Sequence, residues 1–355
     1  MKIKVLIVGS SLEDKGGIVT VIENILQNVD REMVNIKTIS TYLTGSKLLR
    51  IWTYFTGILL LLVNLFAFKP DIVHIHMSYK GSFYRKSLII LLLKPFRVPV
   101  ITHIHGSSFK DFYAGMSPMA RSYCYYILNS STKIVVLSKE WYQFFSTIVN
   151  KDKLKILYNA VKPPQLIRTK EENPFPVCLF LGRMSVRKGI FDLLEAVQMI
   201  KSRNICTRFI LAGDGEVDKV RSIVKDNCLE DYVEVVGWVD KEEKDELLRK
   251  SDILILPSYN EGLPMAILEA MSFGLSIIST TVGGIPELVI NGENGYLIQA
   301  GEVDTLCTRI EMLVDNKKLR QQLRNNNIRR IREDYHIQVF VRELTTMYRS
   351  LKQVR

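Results

Sequence analysis

Cysteine is scarce in this chain, and none of it is arranged for bonding or metal binding. Cys124, Cys178, Cys206, Cys228 and Cys307 are odd in number and scattered, with no CxxC pair. That excludes a disulfide framework and a zinc knuckle and fits a reducing cytosol. The glycine spacing of a dinucleotide site is also missing: the first apolar run, KIKVLIVGS, is followed by SLEDKGG, not GxGxxG, so the nicotinamide fingerprint fails. That run is too short, and too quickly followed by polar residues, to be a secretory leader. No Asp-x-Asp occurs. The basic residues are not interleaved with aromatics and form no reading motif, so nucleic acid is not an expected partner.

What is present is a globular composition, 47% hydrophobic and 24% charged over 355 residues, enough for two domains with cores of their own. The net charge of +11 is unevenly placed. Residues 1–165 hold 21 Lys+Arg against 9 Asp+Glu, and the remainder 27 against 28. A basic first half suits an acidic ligand or a membrane surface, whereas the second half is near neutral.

Short β-branched runs alternate with helical periodicity throughout. In the first half they are KIKVLIVGS, IVHIH (72–76), VPVITHIHG (98–106) and KIVVLS (133–138). In the second they are VCLFLGR (177–183), RFILAGDG (208–215), VEVVGWV (233–239), DILILPS (252–258) and LSIIST (275–280). Each half therefore reads as a doubly wound parallel sheet. Between them VKPPQLIRTKEENPFP (161–176), with four prolines, reads as a linker. The expected domains are 1–165 and 166–333, and the amphipathic stretch 334–355 is expected to pack back on the first.

Residues 51–68, IWTYFTGILLLLVNLFAF, form an uncharged run flanked by Arg50 and Lys69. Length alone suggests a membrane span. The run leads directly into the strand IVHIH, so a span would separate the first strand from its sheet partners. A core helix, or one whose face with Trp52, Tyr54 and Phe55 dips into a lipid interface, is the expectation. Lys80, Arg85, Lys86 and Lys94 in the next helical stretch add basic character beside more apolar surface.

Two constellations carry chemistry. In EGLPMAILEAMSFG (261–274), Pro264 is placed for the first helical turn and Gly274 for the end. Glu261 sits before the helix and Glu269 on it, so two carboxylates can address separate hydroxyls of one ligand, while the helix N-terminus welcomes phosphate. In LGRMSVRKG (181–189), Arg183 ends a strand and Lys188 stands at the start of the next helix, two cations at a strand-end crevice that suit a diphosphate. Gly16 and Gly17 before the first helix of the chain supply backbone that can approach a phosphate. His74, His76, His103 and His105 form two HxH pairs; zinc is a weaker reading, because no Cys or carboxylate is spaced to complete a shell.

These motifs, with PDIVHIH, THIHG, LAGDG and VGGIPELVINGENGYLI, occur in order along nearly the whole chain. The set resembles the family 4 glycosyltransferases. The resemblance implies the GT-B fold, two Rossmann-like domains facing a cleft, and retaining transfer of a sugar from a UDP- or GDP-sugar. It further implies that Arg183 and Lys188 hold the donor diphosphate, that Glu269 binds the ribose, that Glu261 faces the sugar and that Gly16 and Gly17 meet the phosphates. Gly262, Leu263 and Pro264 join the donor site, and His105 lies beside the reacting carbon with the other three histidines supporting. Backbone at Gly237, Trp238 and Val239 matches where the nucleobase rests. Without Asp-x-Asp, fixed cations and helix N-termini are expected to replace a metal, so no cofactor is expected. The expected acceptor is a lipid-linked glycan of bacterial capsule, exopolysaccharide or O-antigen synthesis, with the enzyme in the cytoplasm or peripheral at the inner membrane face. A GT-B nucleotide-sugar epimerase and a noncatalytic partner subunit are the competing readings.

Overall fold

The computed structural model describes residues 2–164 and 175–353. The middle of the expected linker, 165–174, lies outside the described residues. In chain order the elements are β1 (Ile3–Gly9), α1 (Gly17–Asn28), β2 (Val34–Ser40), α2 (Lys47–Ala67), β3 (Ile72–Met77), α3 (Gly81–Leu93), β4 (Val100–Ile104), α4 (Phe109–Ala114), α5 (Pro118–Asn129), β5 (Lys133–Val136), α6 (Lys139–Phe145) and β6 (Leu154–Ile156). There follow β7 (Val177–Leu181), α7 (Ile190–Ser202), β8 (Arg208–Ala212), α8 (Val217–Asp226), β9 (Val233–Gly237), α9 (Lys241–Lys250), β10 (Ile253–Leu256), α10 (Met265–Phe273) and β11 (Ser276–Thr280). The last elements are α11 (Ile285–Leu288), β12 (Gly295–Ile298), α12 (Val303–Asp315), α13 (Lys317–Glu333) and α14 (Ile337–Gln353).

The chain divides into two compact units, Met1–Ala160 with Ile337–Arg355, and Val161–His336. Composition placed the boundaries after residues 165 and 333. Local bonding moves them: Tyr335 donates from its hydroxyl to the Glu287 carbonyl at 2.7 Å and accepts from the Val161 amide at 3.1 Å, so both residues stay with the second unit.

In the first unit six parallel strands lie in the order β2-β1-β3-β4-β5-β6. Such strands are covered on both sides, so β1, β3 and β4 are buried nearly throughout, mostly by Val and Ile, with the polar His74, His76, Thr102 and His103 enclosed among them. Alternate residues divide between the faces. Leu6, Val8, Val73, Ile75 and Met77 join Leu61, Phe83, Ile127 and Phe145 in one core. The side chains between them on β3, His74 and His76, belong to the opposite face, where α14 packs over β1 and β3 beside α1. β1 connects outward to β2, after which the chain returns across it to β3, so the strand order reverses between β1 and β3.

Helix α2 is not a core helix. Only Gly57, Leu61 and Leu65, four residues apart, are buried. Gly57 is required there because a Cβ would stand 2.4 Å from the Ser40 carbonyl oxygen of β2. The other face carries Trp52, Phe55 and Phe66, which are 70%, 64% and 68% exposed. Among the described residues it is the one helix long and apolar enough to cross a membrane. Lys86 is a second departure: it is only 3% exposed and turned inward, not part of a basic outer surface.

The second unit repeats the plan, with strand order β12-β11-β10-β7-β8-β9, α7 packed on α8 and α12, and α10 packed on α9 and α13. Its order reverses between β7 and β10, both of whose carboxyl ends open onto the segments singled out from the sequence.

Candidate active site

In the second unit, β7 ends at Leu181 and the chain continues through Arg183 to a single 3-10 turn, Val186–Lys188. Helix α7 begins only at Ile190, so Lys188 stands in the turn before the helix, not on it. The intervening Gly189 has φ +69°, and a Cβ there would come within 2.0 Å of the Pro257 carbonyl oxygen. A glycine therefore lets the turn press against the end of β10. The Arg187 side chain donates to the Asn260 carbonyl at 2.9 Å and the Tyr259 amide donates to the Arg187 carbonyl at 2.9 Å, tying that turn to the loop after β10.

These ties bring Lys188 and Glu261 together. The Lys188 Nζ forms an ion pair with Glu261 Oε1, both side chains being largely buried, and Ser258 Oγ donates to the same oxygen at 2.8 Å. Glu261 uses one of the three N–H donors that a lysine carries. Lys188 Cε also lies 3.9 Å from where a Cβ on Gly182 would stand, beside Arg183. Arg183 is exposed, with its guanidinium 3.7 Å from Asp214, a distance at which the pair contributes little.

The segment 261–264 is fixed from the far side. Gly262 accepts from the Gly284 amide at 2.7 Å, and Gly283, at φ +59°, has no room for a Cβ, which would lie 2.0 Å from the Glu261 carbonyl oxygen. Leu263 is buried. Pro264 is the N-cap of α10, not a first-turn residue, and Gly274 ends the helix in the left-handed conformation. One turn into α10, Glu269 accepts from Lys244 Nζ at 2.6 Å. Burial raises its carboxyl above the ordinary range, opposed by Lys244. At the end of β9, Gly237 uses its carbonyl to accept from the Gly213 amide at 2.6 Å; Trp238 is half exposed and Val239 buried.

In the first unit, Gly16 caps α1 with φ +118° and open space where a Cβ would stand, and Gly17 is the first helical residue. The preceding strand ends at Gly9, whose carbonyl accepts from the Thr41 amide at 2.9 Å and the Thr41 hydroxyl at 3.0 Å. Lys86 Nζ hydrogen-bonds Thr41 Oγ1 and lies 3.4 Å from the same carbonyl. Burial, with Arg85 adding, lowers its ammonium to about 7.

Four imidazoles line the neighbouring strand ends. His76 on β3 lies directly opposite His103 on β4, and His105 follows β4, held by its amide donating to the Met77 carbonyl at 2.8 Å. His76 Nδ1 is 2.9 Å from His105 Nε2, and His74 Nδ1 is 2.7 Å from the Tyr348 hydroxyl of α14. Burial lowers His74 and His105 to about 3 and holds His76 and His103 well below the usual imidazole range. His74, His76 and His103 each place a ring nitrogen within 4.8 Å of the others.

The model of the family Glycosyltransferase Family 4 matches residues 8–164, and that of Glycosyl transferases group 1 continues through 164–330. The chain belongs to the family 4 glycosyltransferases. Among relatives of this glycosyltransferase is the UDP-Gal:alpha-D-GlcNAc-diphosphoundecaprenol alpha-1,3-galactosyltransferase of Escherichia coli. It is 27% identical over 277 residues, 72% of this chain and 70% of that one. The amylovoran biosynthesis glycosyltransferase AmsK of Erwinia amylovora is 25% identical over 251 residues, 68% of this chain but only 60% of the relative. Sucrose-phosphate synthase from Thermosynechococcus elongatus superposes with a TM-score of 0.81 at 16% identity over 100% of both chains. HepE from Anabaena, solved with UDP and glucose, gives 0.77 at 17% identity over 98% of this chain and 100% of that one. At such identities these likenesses establish the GT-B fold and nothing finer.

Within the glycosyltransferase, sequence reasoning missed Lys244, Ser258 and Thr41 as partners of the motif residues, and Tyr348 as the partner of His74. Ser258 lies only three residues before Glu261, whereas Lys244, Thr41 and Tyr348 meet partners 25, 32 and 274 positions away, which only the fold brings together. Lys86 was noticed but assigned to the surface, since an isolated lysine gives no sign of burial.

Proposed function

We propose that this glycosyltransferase moves a sugar, with retention at the anomeric carbon, from a UDP- or GDP-sugar to a lipid-linked glycan acceptor in bacterial capsule, exopolysaccharide or O-antigen synthesis. The observation that carries the reading is the buried Lys188–Glu261 pair at the point where the second sheet's strand order reverses. Open α/β sheets bind ligands at that point. A cation held there by a carboxylate suits a diphosphate beside a hydroxyl-rich sugar. In this reading Lys188 and Arg183 stabilise the charge of the departing diphosphate, and Glu269 takes the ribose hydroxyls. Glu261 holds sugar hydroxyls, the backbone of Gly262, Leu263 and Pro264 adjoins the donor, and Gly237, Trp238 and Val239 support the base. Gly16 and Gly17 meet phosphate and His105 the sugar. The C1–O bond to the diphosphate breaks, the acceptor oxygen bonds C1 on the same face, and its proton passes to the departing phosphate. The mechanism assigns no protein nucleophile and no metal.

A lipid-linked acceptor is supported by the name of the Escherichia coli relative, which carries diphosphoundecaprenol, and by the exposed face of α2; the name of AmsK supports polysaccharide synthesis. Trp52, Phe55, Leu59 and Phe66 face solvent with Lys47, Arg50 and Lys69 at the helix ends. Tyr54 donates to the Arg85 carbonyl at 3.0 Å, joining this face to α3, where Tyr84 and Leu88 are exposed. Apolar surface rimmed by cations suits the inner leaflet of a cytoplasmic membrane.

The test is a panel of labelled UDP-glucose, UDP-galactose, UDP-N-acetylhexosamines and GDP-mannose with a polyprenyl-diphosphate-linked sugar. Nucleotide release with label in the lipid phase, in the donor's anomeric configuration, is expected for one donor. Label returned as an altered nucleotide sugar would establish an epimerase, and inertness toward every donor a noncatalytic subunit.

A further inference from the structure

The four histidine rings pack together, and one hydrogen bond among them, His76 to His105, reaches beyond the role of His105 alone. The His76 and His105 rings lie within 12° of parallel with centroids 5.0 Å apart, about the 2.9 Å nitrogen separation plus the two ring radii. The bond therefore runs close to both ring planes, as an imidazole hydrogen bond requires. One ring must donate and the other accept, which leaves two possible tautomer pairs.

Burial decides between them. His76 Nε2 is buried without a partner. If His105 donated, His76 would carry its proton on that nitrogen as an orphaned buried N–H; if His76 donates from Nδ1, Nε2 is only an unused acceptor. Orphaned donors are the rarer and costlier case. His76 thus donates to His105 Nε2, and His105 must carry its own proton on Nδ1, the ring nitrogen left unused by the pair. His103, whose ring centroid lies 4.1 Å from that of His105, has no hydrogen-bond partner of its own and packs against the ring from the neighbouring position.

We propose that His76 is a positioning residue that fixes His105 in the Nδ1-protonated tautomer, so that His105 presents an N–H donor, not a basic nitrogen, to an oxygen of the transferred sugar. The bond His76 makes sets which nitrogen of His105 is protonated. The part concerning the sugar rests on the functional reading above; the tautomer does not.

Two measurements test it together on the full chain. Nitrogen-15 NMR of histidine-labelled protein at pH 7.5, with His105 assigned by its loss in His105→Ala, is expected to show His105 protonated at Nδ1 only. In His76→Ala the two tautomers should mix, and kcat should fall about 10- to 100-fold with donor KM within about threefold. His76→Asn, whose amide can donate from near the Nδ1 position, should restore the single tautomer and most of the turnover. An Nε2-protonated His105 in the wild type overturns the proposal, as does His76→Ala with unchanged turnover. So does a His76→Asn variant that shows thermal unfolding like the wild type but is as impaired as His76→Ala. Full turnover in His105→Ala would instead refute the assignment of His105 to the sugar site, leaving the NMR result to judge the tautomer separately.

Discussion

Lowering the pH from 7.5 to 5.5 should destabilise the first unit by several kcal/mol, and the buried histidines set the size of the effect. His74, His76 and His103 are fully enclosed, and burial holds each below its ordinary value, His74 at about 3. In the unfolded chain each titrates near 6.5. The unfolded state therefore binds more protons as the pH falls through 6.5, and stability declines from there down to the folded-state values. At pH 5.5 an unfolded histidine is about ten-to-one protonated, which favours unfolding by about 1.4 kcal/mol for each group that stays neutral in the fold. Three give about 4 kcal/mol, and His105, which burial also lowers to about 3, brings the sum to about 6, against a typical domain stability of about 5–15 kcal/mol.

The assay is urea unfolding followed by the fluorescence of Trp141, which is buried in the first unit, after the exposed Trp52 and Trp238 are replaced by Phe. His103→Leu provides the control, because neither of its ring nitrogens has a partner to lose. It should remove about a quarter of the pH-dependent loss and be no less stable than the parent at pH 5.5. A change of less than about 1 kcal/mol between pH 7.5 and 5.5 would refute the reasoning, because the histidines would then be charged or hydrated in the folded state.

Other outcomes follow from individual contacts. Lys188→Ala leaves the Glu261 carboxylate buried without its cation, and should cost about 3–5 kcal/mol in the second unit as well as lower kcat/KM for the donor by about 100-fold or more. Paired urea titrations and kinetics check both; Glu261→Gln, which keeps a hydrogen-bonding group, should unfold nearer the wild type. Turnover should survive excess EDTA, and a chemical step that needs added Mg²⁺ or Mn²⁺ would contradict fixed cations as the charge stabiliser. Replacing Trp52, Phe55 and Phe66 with Ser should weaken cosedimentation with anionic vesicles at low salt while leaving the thermal midpoint within a few degrees, because none of the three is buried.

Much of this architecture is written in the chain, unevenly and for physical reasons. β1 and β10 are interior strands covered on both sides, and their Val/Ile/Leu runs announce them, while β3, β4 and β11 are equally enclosed and keep β-branched residues around His, Thr or Ser. The strands without such a signal, β2, β6 and β12, are sheet edges with mixed burial, so VNIKTIS and GYLI carry no clear run. Gly274 and the glutamates at 261 and 269 are visible because their spacing is local, whereas the close approaches that require Gly189 and Gly283 are made to Pro257 and Glu261, outside their own motifs. The Lys188–Glu261 pair joins residues 73 positions apart and the Tyr348–His74 bond joins residues 274 apart, so only the folded sheets bring them together. Helix α2 was ambiguous for another reason: composition measures how apolar a helix is, not how much of it a neighbour covers.

In the proposed reaction a diphosphate sugar is gripped by Lys188, in the turn before α7, and its sugar is transferred. It is tested most directly by continuous measurement of UDP or GDP release by the purified wild type and the Lys188→Ala variant, with lipid-linked acceptor and each candidate donor. Acceptor-dependent release from one donor by the wild type, reduced about 100-fold or more in Lys188→Ala, is the expected result. Equal release by the two proteins, or none by the wild type with any donor, would contradict it.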